Sequence, residues 1–422
     1  MSGTLPGFGV IIPAGGAGKR LWPISQPNHP KFLLDLTGSG RTLIQQTWDR
    51  LVPLAGADRM MVVTGAGHRD AVATQLPGLE PANLITEPGP RDSMAAIGLA
   101  AAIAQRRWGD LVVGSFAADH VIKPAPGTAG DAVADRVSAA TMSSAADAGP
   151  GRASGAALAA GLEPEGAAGL ELEGAAAPGA AAIGGGEGFA GAVQAAYLAA
   201  QEGLIATIGI EPTSASTAYG YISAGDPIGL VGFDQIRFVK AFQEKPDLTT
   251  ATKYVAAGYR WNAGMFVFRA SVLLRWLGQL HPEFADGIGQ LADAWDTAQR
   301  GATAKRIWPH LPAVAIDRAI AEPVAALGAM ATVPGDFAWS DVGDFDSVAQ
   351  LVPDGSVQLG AGPPPVLEDS PGALAVSQTT QLVVVAGLPD AVVAVSDGVV
   401  LVTRRERAQG VKALADRLGD RV

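Results

Sequence analysis

Short apolar, β-rich runs that alternate with longer Ala/Leu-rich stretches constrain this chain more than any other feature. GVII (9–12) precedes IQQTWDRLV (44–52), MMVVTG (60–65) precedes HRDAVATQL (68–76), and LVVGSFAADH (111–120) follows MAAIGLAAAIAQRR (94–107). Strand–helix alternation of this kind predicts a mainly parallel α/β sheet. Ligands of such sheets sit at the carboxyl ends of strands, so the residues just after each run draw attention.

The alternation breaks between about 124 and 188. In residues 151–192, 27 of 42 are Gly or Ala, with five Glu and a single Arg. Such a composition buries little apolar area against its ordering cost, so a flexible insertion is expected, one whose deletion over about 126–186 leaves activity nearly intact. Helical periodicity resumes at 189–203, and further strands are expected at 205–210, 238–244, 265–270 and 328–333. A catalytic domain over 1–352, a Pro-rich linker over 353–366 and a small β-rich domain with a terminal helix over 367–422 complete the expected organisation. No long internal repeat is visible.

Composition removes several function classes. With 422 residues and 48% hydrophobic content, the chain can bury a large core. No apolar run approaches the roughly 20 residues that cross a bilayer, and the N-terminus lacks a signal peptide's segments, so the expected compartment is the cytoplasm, with no membrane partner. The absence of cysteine excludes disulfides and thiolate sites, and five scattered His offer no paired metal spacing. Any metal is therefore expected to be a hard cation held by carboxylates. A formal charge of −11 argues against nucleic acid as a partner, because that binding neutralises phosphates with Lys and Arg.

Local cations must then serve any phosphate, and AGGAGKRLWP (14–23) offers them directly after the first apolar run. A Walker A loop fails here, since Arg20 follows Gly18-Lys19 and Pro13 stands where the upstream Gly belongs. A dinucleotide fingerprint fails as well, with Leu21 in place of the third Gly. What remains is a strand, a glycine-rich turn and the cations Lys19, Arg20 and Lys31. It can cradle a polyphosphate or be an ordinary turn with surface cations.

The run GGAGKRLWPISQPNHPKFLL (15–34) resembles the signature of sugar-1-phosphate nucleotidyltransferases, and its LWP variant resembles the mannose-1-phosphate guanylyltransferase branch. EPGPRDSMAAIGLAA (87–101), FAADHVI (116–122), TAYGYI (217–222), FQEKPD (242–247), WNAGMFVF (261–268), AIDRAIAEP (315–323) and FAWSDVGDF (337–345) follow in the family's order. The resemblance implies a Rossmann-like, GT-A-like nucleotidyltransferase sheet with a small β-rich C-terminal domain. It implies GTP and mannose 1-phosphate as substrates, GDP-mannose and diphosphate as products, and Mg²⁺ as cofactor. With no room after the small β domain for an isomerase, a single activity is expected. Oligomeric state is not readable from the sequence, and a homodimer stays open.

By the same resemblance, Gly15, Gly16 and Gly18 would cradle the triphosphate, Arg20 would meet the departing β- and γ-phosphates, and Lys31 would reach the phosphates from beyond the loop. Asp119 and Asp341 would share the metal, which suits a hard cation bridging phosphates; a turn or N-cap role for Asp119 is the alternative. Lys245 would take the sugar phosphate, with Glu244, Asn262 and the backbone at Gly220 on the sugar. Asp317 would orient the sugar site or cap a helix. Glu87 would accept the N1–H and N2–H₂ donors of guanine or structure its loop, with Arg91, Asp92 and Ser93 on base or ribose. RDSMA (91–95) departs from the family's usual RDTAP. His120 is expected to be structural, and Trp261, Phe266 and Phe268 to be core. Glucose 1-phosphate with UTP or dTTP, and a non-catalytic nucleotide-sugar-binding subunit, are the alternatives in function.

Overall fold

Strands that read as continuous apolar runs need cover on both faces. The computed structural model, which describes residues 3–16, 18–124 and 188–418, provides it. Along the chain the strands are β1 (Phe8–Ala14), β2 (Met60–Gly65), β3 (Leu84–Glu87), β4 (Val112–Ser115), β5 (Val121–Pro124), β6 (Ile205–Ile210), β7 (Tyr221–Pro227), β8 (Arg237–Gln243), β9 (Arg260–Arg269), β10 (Met330–Gly335) and β11 (Phe337–Ser340). Nine of them form one sheet in the order β3-β2-β1-β4-β9-β6-β10-β8-β7, while β5 and β11 pair separately.

The α/β class expected from the alternation is present, and the strand directions are mixed. Strands β3, β2, β1 and β4 run parallel, as do β6 and β10. Strand β9 lies antiparallel between β4 and β6, and β7 and β8 are antiparallel additions. Helices α1 (Leu43–Ala55), α2 (Arg69–Gln75) and α3 (Asp92–Trp108) make the connections of the parallel part. Helix α3 is buried along most of its length because helices Ala270–Leu280 and Pro282–Ala294 pack over it. One apolar core lies on each face of the sheet. No helix among the described residues is long and apolar enough to cross a membrane.

The C-terminal region is a short β coil. Strands β12 (Ser356–Gln358), β13 (Val366–Glu368), β14 (Leu374–Ser377), β15 (Val384–Ala386) and β16 (Ala391–Ser396) stack in parallel sets, Val366 beside Val384 and Leu374 beside Val392, and β17 (Val399–Arg404) closes the edge antiparallel to β16. The stretch expected as a linker, 353–366, therefore holds a coil strand, because β12 pairs with β14. Stacked turns also supply a structural repeat that the sequence does not display. Most of the expected insertion, 125–187, lies outside the described residues.

Candidate active site

The glycine loop leaves the carboxyl end of β1. Gly15 and Gly16 are exposed, and Gly18 adopts a left-handed conformation with φ 56°. A Cβ at Gly18 would stand 2.5 Å from Ser25 Oγ and 3.3 Å from Lys31 Cγ, so the space demands glycine there and the backbone angle favours it. Arg20 is exposed, and Lys19 forms a 2.6 Å ion pair with Asp416 of the C-terminal helix. Gln378 of the coil donates to the Ile24 carbonyl at 3.1 Å, while Leu21 and Ile24 are fully buried in an apolar cluster shared with coil residues.

Pairing of β5 with β11 sets Val121 opposite Ser340, which brings the preceding Asp119 and the following Asp341 to the same place. Lys31 joins them: its ammonium contacts Asp119 Oδ2 at 3.0 Å and donates to the carbonyls of Asp341 at 2.7 Å and Val342 at 3.0 Å. Those three contacts account for all its N–H donors. Burial pushes the Asp119 carboxyl up, but the Lys31 charge, His120 and hydrogen bonds together hold it below the usual carboxylate range. Asp119 lies in the β4–β5 turn and caps no helix.

His120 packs edge-on against Trp339 at 5.3 Å, and its carbonyl accepts from Arg50 Nη2 at 3.2 Å. Burial brings the Arg50 guanidinium down to about 10. Among the described residues no group of three or more His, Asp or Glu forms a ready metal cage. Two carboxylates without a third suit a hard cation whose remaining ligands are phosphate oxygens and water.

A second cluster gathers around Gly220. The Gly220 carbonyl accepts from Asn262 N at 2.8 Å, Asn262 Oδ1 accepts from Thr207 Oγ1 at 2.8 Å, and Asn262 Nδ2 donates to Asp317 Oδ1 at 2.7 Å. Thr207 thereby fixes which way the Asn262 amide faces. Asp317 is the first residue of a π-helical turn over Asp317–Ala321, after Ile316 at the N-cap, and its carboxylate receives the Asn262 amide. Burial first, and the nearby Glu244 charge second, push its carboxyl up to about 6. Glu244 is nearly buried and receives Lys245 Nζ at 2.7 Å, and Glu322 accepts from Glu244 N at 3.0 Å. Lys245 has φ 47°, a rare angle for a side-chain-bearing residue.

Glu87 ends β3 beside Gly65, and burial raises its carboxyl to about 7. The loop after it is tied to a distant segment. Arg91 donates to the carbonyls of Trp308 and Pro309, Trp308 Nε1 donates to the Gly89 carbonyl at 2.7 Å, and Ser93 Oγ accepts from Ile316 N at 2.9 Å. Met94 is fully buried, and its N–H donates to the Val314 carbonyl at 3.2 Å. Arg91 and Ser93 thus hold the loop's shape in this structure, and Asp92 takes a left-handed φ of 61°.

Trp261, Phe266 and Phe268 are buried. Sequence reasoning gave no role to Tyr219, Thr207, Glu322 or Gln409. The first lies inside TAYGYI, where its adjacency to Gly220 was the available signal. Gln409 donates to the Asp344 carboxylate, and Arg405 Nε donates to Asp346 at 2.7 Å, so the coil also grips the segment after Asp341.

The nucleotidyl transferase family model matches residues 9–149 and 181–354, leaving out 150–180 and nearly all of the coil. The xanthan biosynthesis protein XanB of Xanthomonas campestris pv. campestris is 32% identical over 99% of this chain and 74% of its own length. A mannose-1-phosphate guanylyltransferase of Escherichia coli is 30% identical over 95% of this chain and 72% of its own. Among solved structures, a Thermus thermophilus protein named mannose-1-phosphate geranyltransferase superposes with a TM-score of 0.70 at 25% identity, covering 98% of this chain and 99% of that one.

Proposed function

The chain belongs to the nucleotidyl transferase family, as a sugar-1-phosphate nucleotidyltransferase, and we propose that it joins GTP to α-D-mannose 1-phosphate, giving GDP-mannose and diphosphate. The observation that carries this reading is the meeting of Asp119 and Asp341 on Lys31 while Tyr219 links Asp341 to the cluster of Gly220, Glu244, Lys245 and Asn262. Two anion-handling centres side by side suit a reaction that brings two phosphates together. The relatives named for mannose 1-phosphate supply the choice of sugar and base.

In this reading a sugar-phosphate oxygen attacks the α-phosphorus in line, and the bond to the β-phosphate oxygen breaks. Positioning and charge neutralisation supply most of the acceleration, because no covalent intermediate is needed. The exposed amides of Gly15 and Gly16 line the triphosphate, and Arg20 neutralises the departing diphosphate. Lys245 holds the sugar phosphate, while Glu244 and Asn262 take sugar hydroxyls. Asp119 and Asp341 would hold Mg²⁺, which when bound withdraws charge from the reacting phosphate oxygens. Ionised Glu87 would accept both N–H groups on guanine's Watson–Crick edge.

Diphosphate release measured over a matrix of nucleoside triphosphates and sugar 1-phosphates tests the proposal. Turnover greatest with GTP and mannose 1-phosphate is expected. Turnover confined to another pair, such as UTP or dTTP with glucose 1-phosphate, or tight GDP-mannose binding without turnover, would overturn it.

A further inference from the structure

Tyr219 touches both halves of the site. Its hydroxyl donates to Asp341 Oδ1 at 2.9 Å, and its carbonyl accepts from Lys245 N at 3.2 Å. The ring is fixed from two sides, its centroid lying 4.9 Å from that of Trp261 and 5.1 Å from that of Trp339, both edge-on. Trp261 is buried in the sheet, and Trp339 sits in β11 two residues before Asp341. Edge-to-face packing on two sides leaves the ring little freedom, so the hydroxyl meets Asp341 at a set angle.

We infer that Tyr219 is a positioning residue that orients the Asp341 carboxylate and couples it to the backbone carrying Lys245. The inference rests on the proposed reading of Asp341 as one of two carboxylates for a divalent cation. A carboxylate whose Oδ1 accepts a fixed hydroxyl presents Oδ2 in a defined direction. Partners of this kind behind a metal ligand are commonly worth about 10- to 100-fold in metal affinity or activity. Lys31 leaves this task open, because its ammonium takes the Asp341 backbone carbonyl and not the carboxylate. The same residue sets the other half of the site: Lys245 has φ 47° and directs its N–H at the Tyr219 carbonyl, and the next carbonyl, that of Gly220, receives Asn262. A displaced Tyr219 ring would move Asp341 and Lys245 together, and with them the distance between nucleotide and sugar phosphate.

Tyr219→Phe removes one oxygen and keeps the ring between its tryptophans, so the fold is retained. Mn²⁺ titration of the full chain, followed by electron paramagnetic resonance with GTP present and no sugar phosphate, reads the effect without turnover. Affinity about ten-fold weaker in Y219F than in wild type is expected, together with a lower kcat and a KM for mannose 1-phosphate within about two-fold. Equal Mn²⁺ affinity in the two proteins, or no Mn²⁺ binding by either, overturns the inference. Wild-type protein that binds Mn²⁺ but does not turn over GTP with mannose 1-phosphate overturns the substrate reading instead, and the Mn²⁺ comparison between the two proteins still decides the role of Tyr219.

Discussion

Replacing Gly220 by alanine adds one methyl group at the place where the second cluster is tightest. A Cβ there would stand 2.6 Å from Glu244 Oε2 and 3.3 Å from Asn262 Cβ. Gly220 has no left-handed φ, so alanine fits the backbone and the conflict is one of space alone. Asn262 cannot yield, since Thr207, Asp317 and the Gly220 carbonyl hold its amide and its N–H. Glu244 must therefore withdraw by roughly 1 Å, and a misplacement of that size costs on the order of 10²-fold in rate. The Lys245 ammonium, 2.7 Å from Glu244 Oε1, moves with it. For G220A, kcat/KM for mannose 1-phosphate is expected to fall about 100-fold, which corresponds to about 2.7 kcal/mol, while the KM for GTP changes less than about two-fold and the thermal midpoint by little. Diphosphate release with each substrate varied in turn, beside a melting curve, checks all three. An unchanged kcat/KM for the sugar phosphate, or a KM for GTP raised many-fold, would refute the reasoning.

In the proposed base-reading role Glu87, raised to about 7 by burial, would have to lose its proton to accept guanine's donors, so kcat/KM for GTP should fall about ten-fold per unit as pH drops below 7. Glu87→Gln should lower that constant and remove this limb of the profile; a limb that survives in E87Q counts against the base-reading role. Asp317 is raised in the folded chain, so the unfolded chain loses this proton first, and stability falls as pH climbs from about 4 to about 6 and stays lower above. Asp317→Asn removes that fall, so the melting temperature of D317N minus wild type should be more positive at pH about 7.5 than at about 4.5; equal differences at both would contradict the shift. Deleting 150–180, which the family match leaves out, should keep kcat within about two-fold, and a large loss in a well-folded deletion would show that this segment serves the reaction.

The legible parts of this molecule are those set by local composition. Strands β1 and β2 were readable because nearly every residue in them is buried, and the glycine loop because the left-handed angle and the crowding at Gly18 favour glycine. Asp119 and Asp341 were paired by motif, and the structure brings them together. Direction was not readable: the apolar run of β9 marks a strand but does not say that it runs antiparallel between β4 and β6. Strand β12 is three residues long and sits among turn-forming residues, so no periodicity could reveal it. Contacts across long sequence separations were equally hidden. The hydroxyl of Tyr219 meets a carboxylate 122 positions away, and Lys31 reaches carbonyls 310 and 311 positions away. The resemblance puts Lys31 near the phosphates, and in the fold its ammonium is held by the Asp119 carboxylate and the carbonyls of Asp341 and Val342.

The largest gap between sequence and structure concerns the C-terminal coil. Composition draws a boundary near 353, but packing crosses it. Leu21 and Ile24 of the glycine loop and Val342 and Phe345 beside Asp341 share one apolar cluster with Val357, Leu374, Val392 and Leu401 of the coil. Val342 adopts φ 48°, costly for a β-branched residue, and its complete burial in that cluster keeps it there. Polar contacts repeat the pattern: the coil side supplies Gln409 to Asp344, Arg405 to Asp346 and Gln378 to the Ile24 carbonyl. Because close-packed interiors transmit small displacements, the distance between the glycine loop and Asp341 depends on a region that carries neither. The LWP residues after the glycine loop follow the same logic. Leu21 is fully buried among coil residues, so this stretch anchors the loop in that cluster while Gly15 and Gly16 stay exposed.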